Sequence, residues 1–301
     1  MKNYPIDKEL KKYCKNVPFF SAMLVFCDPF LRLMYRFTPI KKGVNHERKN
    51  IETKDGNLRL DIFTPENSKN DLPVLFYLHG GGFGYFASPF HKKLAAIYAK
   101  KADCRVICPD YRLIPKYAYP CAKNDSLEAY RWARKAFPDS AFAVGGDSVG
   151  GALAIYVVNE AEITPDFQML IYPVCDPNQN TASMKKYTDT PFWNAVNNKK
   201  MWKLYAGKYS FDEVSPFETK LPKKIPDSYI ELAEIDCLHD EGKNYAEKLA
   251  QNGANVALNE TKGTVHGYDI ALKTKIVRSN VQKRADALKA AFSKILSVEK
   301  N

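Results

Sequence analysis

The stretch FAVGGDSVGGALAIY occupies residues 142–156 and crowds small residues around one serine: Gly145, Gly146, Gly150, Gly151 and Ala152 surround Ser148. Glycine inside a helix or strand costs about 0.5–1 kcal/mol relative to alanine, so this concentration needs a local reason. FAVGGD has the pattern of a buried strand and VGGALAIY that of a helix, which puts Ser148 at the turn between them. Gly146, Ser148 and Gly150 then make G-x-S-x-G, a nucleophile elbow. The serine is held in strained backbone so that its hydroxyl projects. Side chains two positions before and after it would clash across the turn, and Gly151 lets the helix approach the sheet. The helix N-terminus aims N–H groups at whatever sits beside Ser148. A phosphate-binding glycine loop is the competing reading, but the stretch matches neither GxxxxGK[ST] nor a first-strand GxGxxG.

Outward from the elbow, strands alternate with helices. PVLFYLHG, RVICPDY, FQMLIYP, SYIELAE and NVALNET are short apolar or β-branched runs of the kind found in buried strands. HKKLAAIYAKKA, NDSLEAYRWARKAF, VGGALAIYVVNEA and EGKNYAEKLAQNG read as helices, with a last one over about 281–298. Asn124-Asp125-Ser126 is expected to cap the second helix and Gly253 to follow the end of the fourth. RKNIETK and NLRLDIFTP, joined at Asp55-Gly56, predict an antiparallel hairpin. The pattern predicts an α/β fold, a mostly parallel eight-stranded sheet with helices on both faces. Two aromatic-rich segments break the alternation, residues 1–45 and 181–222, and separate the core into 46–180 and 223–301. The second lies over the carboxyl ends of the strands, where open α/β sheets bind ligands.

The chain has 301 residues, 45% of them hydrophobic, enough for one large core. Its net charge of +11 is spread over scattered lysine pairs, which indicates a solvated basic surface and no nucleic-acid partner. Seven cysteines without CxxC spacing read as reduced, mostly buried thiols of a cytoplasmic protein. Five histidines show no metal-ligand spacing, so no metal is expected. VPFFSAMLVFCDPFLRLMYRF, residues 17–37, has too short an apolar run to span a bilayer. Asp7 and Glu9 do not suit a signal peptide. Amphipathic helices packed on the body are the first reading of this segment, and helices at a membrane surface the second.

A serine nucleophile needs donors for the tetrahedral oxyanion, a base, and an acid that orients the base. HGGGF, residues 79–83, follows a strand, and its glycines let backbone amides approach a ligand; Gly81, Gly82 and Val149 are the expected donors. His79 lies in that loop and reads as structural. The elbow fold runs Ser, acid, His along the chain. Only His239 and His266 follow Ser148, and His266, in the glycine-bounded loop GTVHGYD, is the expected base. His239 reads as a surface or capping residue. Asp236, just past SYIELAEI, is the expected acid, with Asp176 as its rival. Asp240 is expected to cap a helix, and Asp147 to serve structure.

HGGGF, PDYRLIPKYAYPCAKND at residue 109, GDSVGG at 146, YPVCD at 172, ELAEIDCLHDEG at 231, YAEKLAQNG at 245 and VHGYD at 265 together resemble the hormone-sensitive-lipase-like esterases of the α/β-hydrolase superfamily over residues 73–270. The resemblance implies a Ser148–Asp236–His266 triad and the oxyanion donors named above. It also implies a helical cap made by the N-terminal helices and residues 181–222, with Tyr111, Arg112, Pro115, Pro120 and Asp125 structural. Lys116-Tyr117 and Val149 depart from the family's usual residues without removing a catalytic group. The implied activity is hydrolysis of short-chain acyl esters without a cofactor; the sequence leaves open whether the protein is a monomer or a homodimer. Phe83, Phe192, Trp193 and Trp202 are the candidate pocket walls. Amide hydrolysis by the same triad, or a non-catalytic receptor that binds a small molecule, is the alternative.

Overall fold

A computed structural model describes residues 3–17, 19–68 and 71–298. The hairpin forms as its alternation requires: β1 (Val44–Thr53) and β2 (Gly56–Pro65) pair antiparallel from Thr53↔Gly56 to Val44↔Pro65. The apolar runs become β3 (Val74–Leu78), β4 (Arg105–Pro109), β5 (Phe142–Asp147), β6 (Phe167–Ile171), β7 (Asp227–Ile235) and β8 (Val256–Val265). One eight-stranded sheet results, in the order β1-β2-β4-β3-β5-β6-β7-β8. β2 meets β4 antiparallel, and every pairing from β4 onward is parallel. β3, β5 and β6 are buried at every position, as strands covered on both faces must be.

The covering helices are α2 (Pro89–Ala102), α3 (Cys121–Ala136), α4 (Val149–Glu160), α7 (His239–Gln251) and α8 (Lys275–Val298). α1 (Ser21–Phe37) precedes the sheet, and α5 (Ala182–Lys186) and α6 (Ala195–Ala206) lie in the 181–222 segment. That segment and the N-terminal one hold each other: Phe192 N donates to Lys15 O at 2.9 Å, Asn197 Nδ2 to Val17 O at 3.1 Å, and Tyr4 Oη to Asp189 at 2.5 Å.

Helix ends differ from the sequence reading in three places. α3 begins at Cys121, before the expected cap, because the Asp125 carboxylate is taken by the backbone and side chain of Arg112 and Ser126 Oγ donates to Ala122 O. α7 begins at His239 with Asp240 inside its first turn; the Asp240 carboxylate accepts from Ser183 N at 2.8 Å and so ties α5 to α7. α8 begins six residues before 281. Thr274 Oγ1 accepts from Val277 N, and the Glu9 carboxylate accepts from Lys275 N at 2.6 Å. Gly253 follows α7 with φ +90°, as expected of its position. All seven thiols are free, but only Cys104, Cys175 and Cys237 are buried; the other four are half-buried.

Candidate active site

The elbow has the geometry that its glycines demand. Ser148 sits between β5 and α4 at φ +56°, ψ −122°, a conformation that costs a side-chain-bearing residue about 1–3 kcal/mol. Its backbone is clamped on both sides: Ser148 N donates to Ile171 O at 2.9 Å, and Ser148 O accepts from Gly151 N and Val174 N. A Cβ on Gly150 would stand 2.0 Å from Leu78 O, and one on Gly146 2.2 Å from Gly150 O. A Cβ on Gly151 would meet Pro173 Cβ at 2.7 Å, where α4 crosses the segment after β6.

The partners of Ser148 come from the carboxyl ends of neighbouring parallel strands. Asp236 follows β7 and His266 follows β8, and the pairing Ile235↔Val265 sets them side by side. That pairing depends on an irregularity. Residues 261 to 265 of β8 span only residues 233 to 235 of β7, with Gly263 at φ +66° and its N–H donating to the Glu234 carboxylate. Without the extra residues, a different side chain of the GTVHGYD loop would face Asp236.

His266 Nδ1 lies 2.7 Å from Asp236 Oδ2, and Nε2 lies 2.8 Å from Ser148 Oγ. A carboxylate only accepts, so Nδ1 donates and Nε2 keeps its lone pair for the serine hydroxyl. Asp236 Oδ1 also accepts from Leu238 N at 3.0 Å. All three side chains are buried. Asp176 lies apart; its Oδ1 accepts from Asn178 N. His239 is pinned between Asp240 and Glu260. The Tyr172 ring meets the His266 ring edge-on, with centroids 4.8 Å apart.

The Gly80–Phe83 loop follows β3, with Gly80 close enough that a Cβ there would stand 3.1 Å from Ser148 Cβ. Gly81 and Gly82 have positive φ, which frees the turn to expose its amides. Among the described residues, no protein acceptor takes a hydrogen bond from the N–H of Gly81, Gly82 or Val149. Phe19 and Trp193 cover Gly82: a Cβ there would meet their rings at 2.8 and 2.9 Å. These rings stand edge-on to each other at 5.2 Å, and Trp193 lies 6.2 Å from the His266 ring. Phe19 was not singled out from the sequence, since nothing local links residue 19 to residue 193. Phe192 is half-buried with φ +61°. Phe83 stacks flat on Tyr205 at 3.7 Å, and Trp202 closes the same buried aromatic group.

Asp147, next to the serine, turns away from it. Its carboxylate accepts from Tyr77 Oη at 2.8 Å and from His91 Nε2 at 3.1 Å. Burial pushes its pKa up, but the charge and hydrogen bond of His91 and the Tyr77 hydroxyl outweigh that and hold it at about 2. His79 is structural too. Nδ1 lies 2.7 Å from Gly80 O, Tyr111 stacks on the ring at 4.5 Å, and Nε2 has no partner among the described residues. Burial and the neighbouring His91 lower its pKa to about 3. The unfolded chain therefore binds a proton that the fold refuses between about pH 6.5 and 3, so stability falls as pH drops through that window, by up to about 1.4 kcal/mol per unit. Urea midpoints measured between pH 7 and 4.5 should show this decline, and His79→Asn should flatten it. An equal slope in both proteins would remove His79 as its source.

Comparison with known proteins matches residues 75–270 to the alpha/beta hydrolase fold. The chain is 30% identical over 234 residues to the ethyl acetate hydrolase of Pseudomonas putida, covering 72% of this chain and 74% of that one. It is 32% identical over 211 residues to esterase LipI of Mycobacterium tuberculosis, covering 66% of either chain. The solved structure of a bacterial heroin esterase superposes with a TM-score of 0.84 at 26% identity, covering 96% of this chain and 98% of that one. With the elbow, the strand order and these likenesses in agreement, the chain belongs to the alpha/beta hydrolase fold family, in its hormone-sensitive-lipase-like esterase branch.

Proposed function

We propose that this carboxylic-ester hydrolase acts through an acyl-enzyme on Ser148. The observation that carries the proposal is the continuous hydrogen-bonded line from Ser148 Oγ through His266 to Asp236. His266 Nε2 takes the hydroxyl proton as Oγ attacks the ester carbonyl, and Asp236 stabilises the resulting imidazolium. The amides of Gly81, Gly82 and Val149 receive the negative charge of the tetrahedral intermediate. Donors of this kind contribute about 2.7–4 kcal/mol each. His266 then protonates the leaving alcohol, activates a water to attack the acyl-enzyme, and returns the proton to Ser148 as the acid departs.

The substrates are esters of short acyl chains, acetyl to about hexanoyl. Phe19 and Trp193 lie directly on Gly82 and leave little room beside the oxyanion donors, and the ethyl acetate hydrolase among the relatives bears the name of such an ester. A fluorophosphonate probe should phosphonylate Ser148 with loss of fluoride. Across a p-nitrophenyl ester series, kcat/KM should peak between acetyl and hexanoyl and fall roughly tenfold or more at dodecanoyl. A serine left unlabelled would sink the mechanism, and a maximum at dodecanoyl would sink the substrate range alone.

A further inference from the structure

Helix α1 is apolar on two sides. Its inner side is accounted for. Leu24 fills the space over Gly84, Arg32 lies 4.2 Å from the Phe86 centroid and binds Asp110, and Lys92 Nζ donates to Tyr35 O at 3.2 Å. Its outer side carries Val25, Phe26, Phe30, Leu33, Met34 and Phe37, each between 42% and 86% exposed. Positions 26, 30, 33 and 37 recur at helical spacing and form one stripe. With Val17 and Phe20, eight exposed large apolar residues fall within 17–37. The remaining five among the described residues, Ile163, Val196, Phe211, Leu258 and Ile270, are dispersed along the chain. Single exposed apolar residues are ordinary, but a contiguous stripe marks an interaction surface.

Charge indicates what covers it. Lys11, Lys12 and Lys15 precede the helix, and Arg36, Lys41 and Lys42 lie at its other end, all exposed. Asp28, the only acid between residues 10 and 46, is bound to Arg32. A second copy fits poorly. Both ends of the segment are basic, so pairing α1 with α1 in either direction sets cations against cations. An anionic lipid surface neutralises both ends and takes up the rings between them. Among the described residues no helix is long and apolar enough to cross a membrane. We infer that α1 lies in the headgroup layer of an anionic bilayer with its Phe26–Phe30–Phe37 stripe facing the acyl chains. Phe19, two residues before α1, belongs to the roof over Gly82, so docking brings the esterase site beside the lipid.

Flotation with vesicles tests this on the full chain. The carrier is Ser148→Ala, so that binding is read apart from turnover and from the proposed chemistry. The protein should float with phosphatidylglycerol-containing vesicles and much less with pure phosphatidylcholine. The combined variant F26S/F30S/F37S should weaken binding by at least ~10-fold through lost apolar burial. R36Q/K41Q/K42Q should weaken it by about fivefold per cation removed, and high salt should act in the same direction. In the Ser148 background both variants should turn over soluble p-nitrophenyl acetate as before, which shows that they fold. No flotation with phosphatidylglycerol vesicles would overturn the inference, as would equal flotation of F26S/F30S/F37S. A dimer that this variant dissolves, with no vesicle binding by either protein, would assign the stripe to a second copy instead.

Discussion

Replacing Ser148 with alanine should lower turnover of p-nitrophenyl acetate by about 10^4- to 10^6-fold while leaving the fold intact. Loss of one member disables a nucleophile–base pair that acts as a unit, and what survives comes from substrate binding and the oxyanion donors. The side chain is small and, among the described residues, its only polar partner is His266 Nε2, so little packing is lost. The elbow adds a second readout. Ser148 is held at φ +56° by the backbone bonds of its own N–H and C=O. Glycine relieves that strain, so Ser148→Gly should be equally inactive yet more stable, by about 1 kcal/mol. Steady-state rates and urea midpoints of the two variants check both halves. Turnover within tenfold of the natural protein in either variant would mean that the nucleophile lies elsewhere.

The largest effect on stability is expected at Arg284, on α8 and wholly buried. Its guanidinium binds Glu231 on β7 through Nε and Nη2 and Asp269 through Nη1 at 2.9 Å. Burial pushes the Glu231 pKa up, but the Arg284 charge and the hydroxyls of Tyr268 and Tyr229 outweigh it and keep the carboxyl below its usual range. Asp269 also accepts from Tyr172 Oη, whose ring lies against His266. Arg284→Leu leaves both carboxyls buried without their cation and should cost about 3–5 kcal/mol. Equilibrium urea unfolding measures the loss. Arg284→Lys keeps a charge but not the fork and should fall between. A midpoint for Arg284→Leu equal to that of the natural protein would show that the cluster contributes no net stability.

The parts of the molecule that could be read along the chain are those fixed by near neighbours. β5 and α4 follow from an apolar run meeting a glycine-spaced serine, and β1 and β2 from alternation around Asp55-Gly56. Ser148, Asp236 and His266 each stand at the end of a legible strand, and the structure brings the three together. The errors arise where a distant partner decides. Asp125 looked like a helix cap until Arg112 is seen to occupy it. The start of α8 is completed by Glu9, 266 positions earlier in the chain. β8 reads as ending with NVALNET, yet it continues through Gly263 to Val265, and this extension is what aligns His266 with Asp236. Phe19 had no signature, because its importance lies in facing Trp193.

That last pairing separates two tasks within the molecule. Bond making and breaking are assigned to groups at the strand ends, whereas the ceiling above Gly82 is supplied by residues 19 and 193, from segments outside the sheet. Under the proposed mechanism, substrate preference can therefore drift by altering these two segments together without disturbing the chemistry beneath. The two segments must change in step, because a graft of one alone would leave half a ceiling against a mismatched edge.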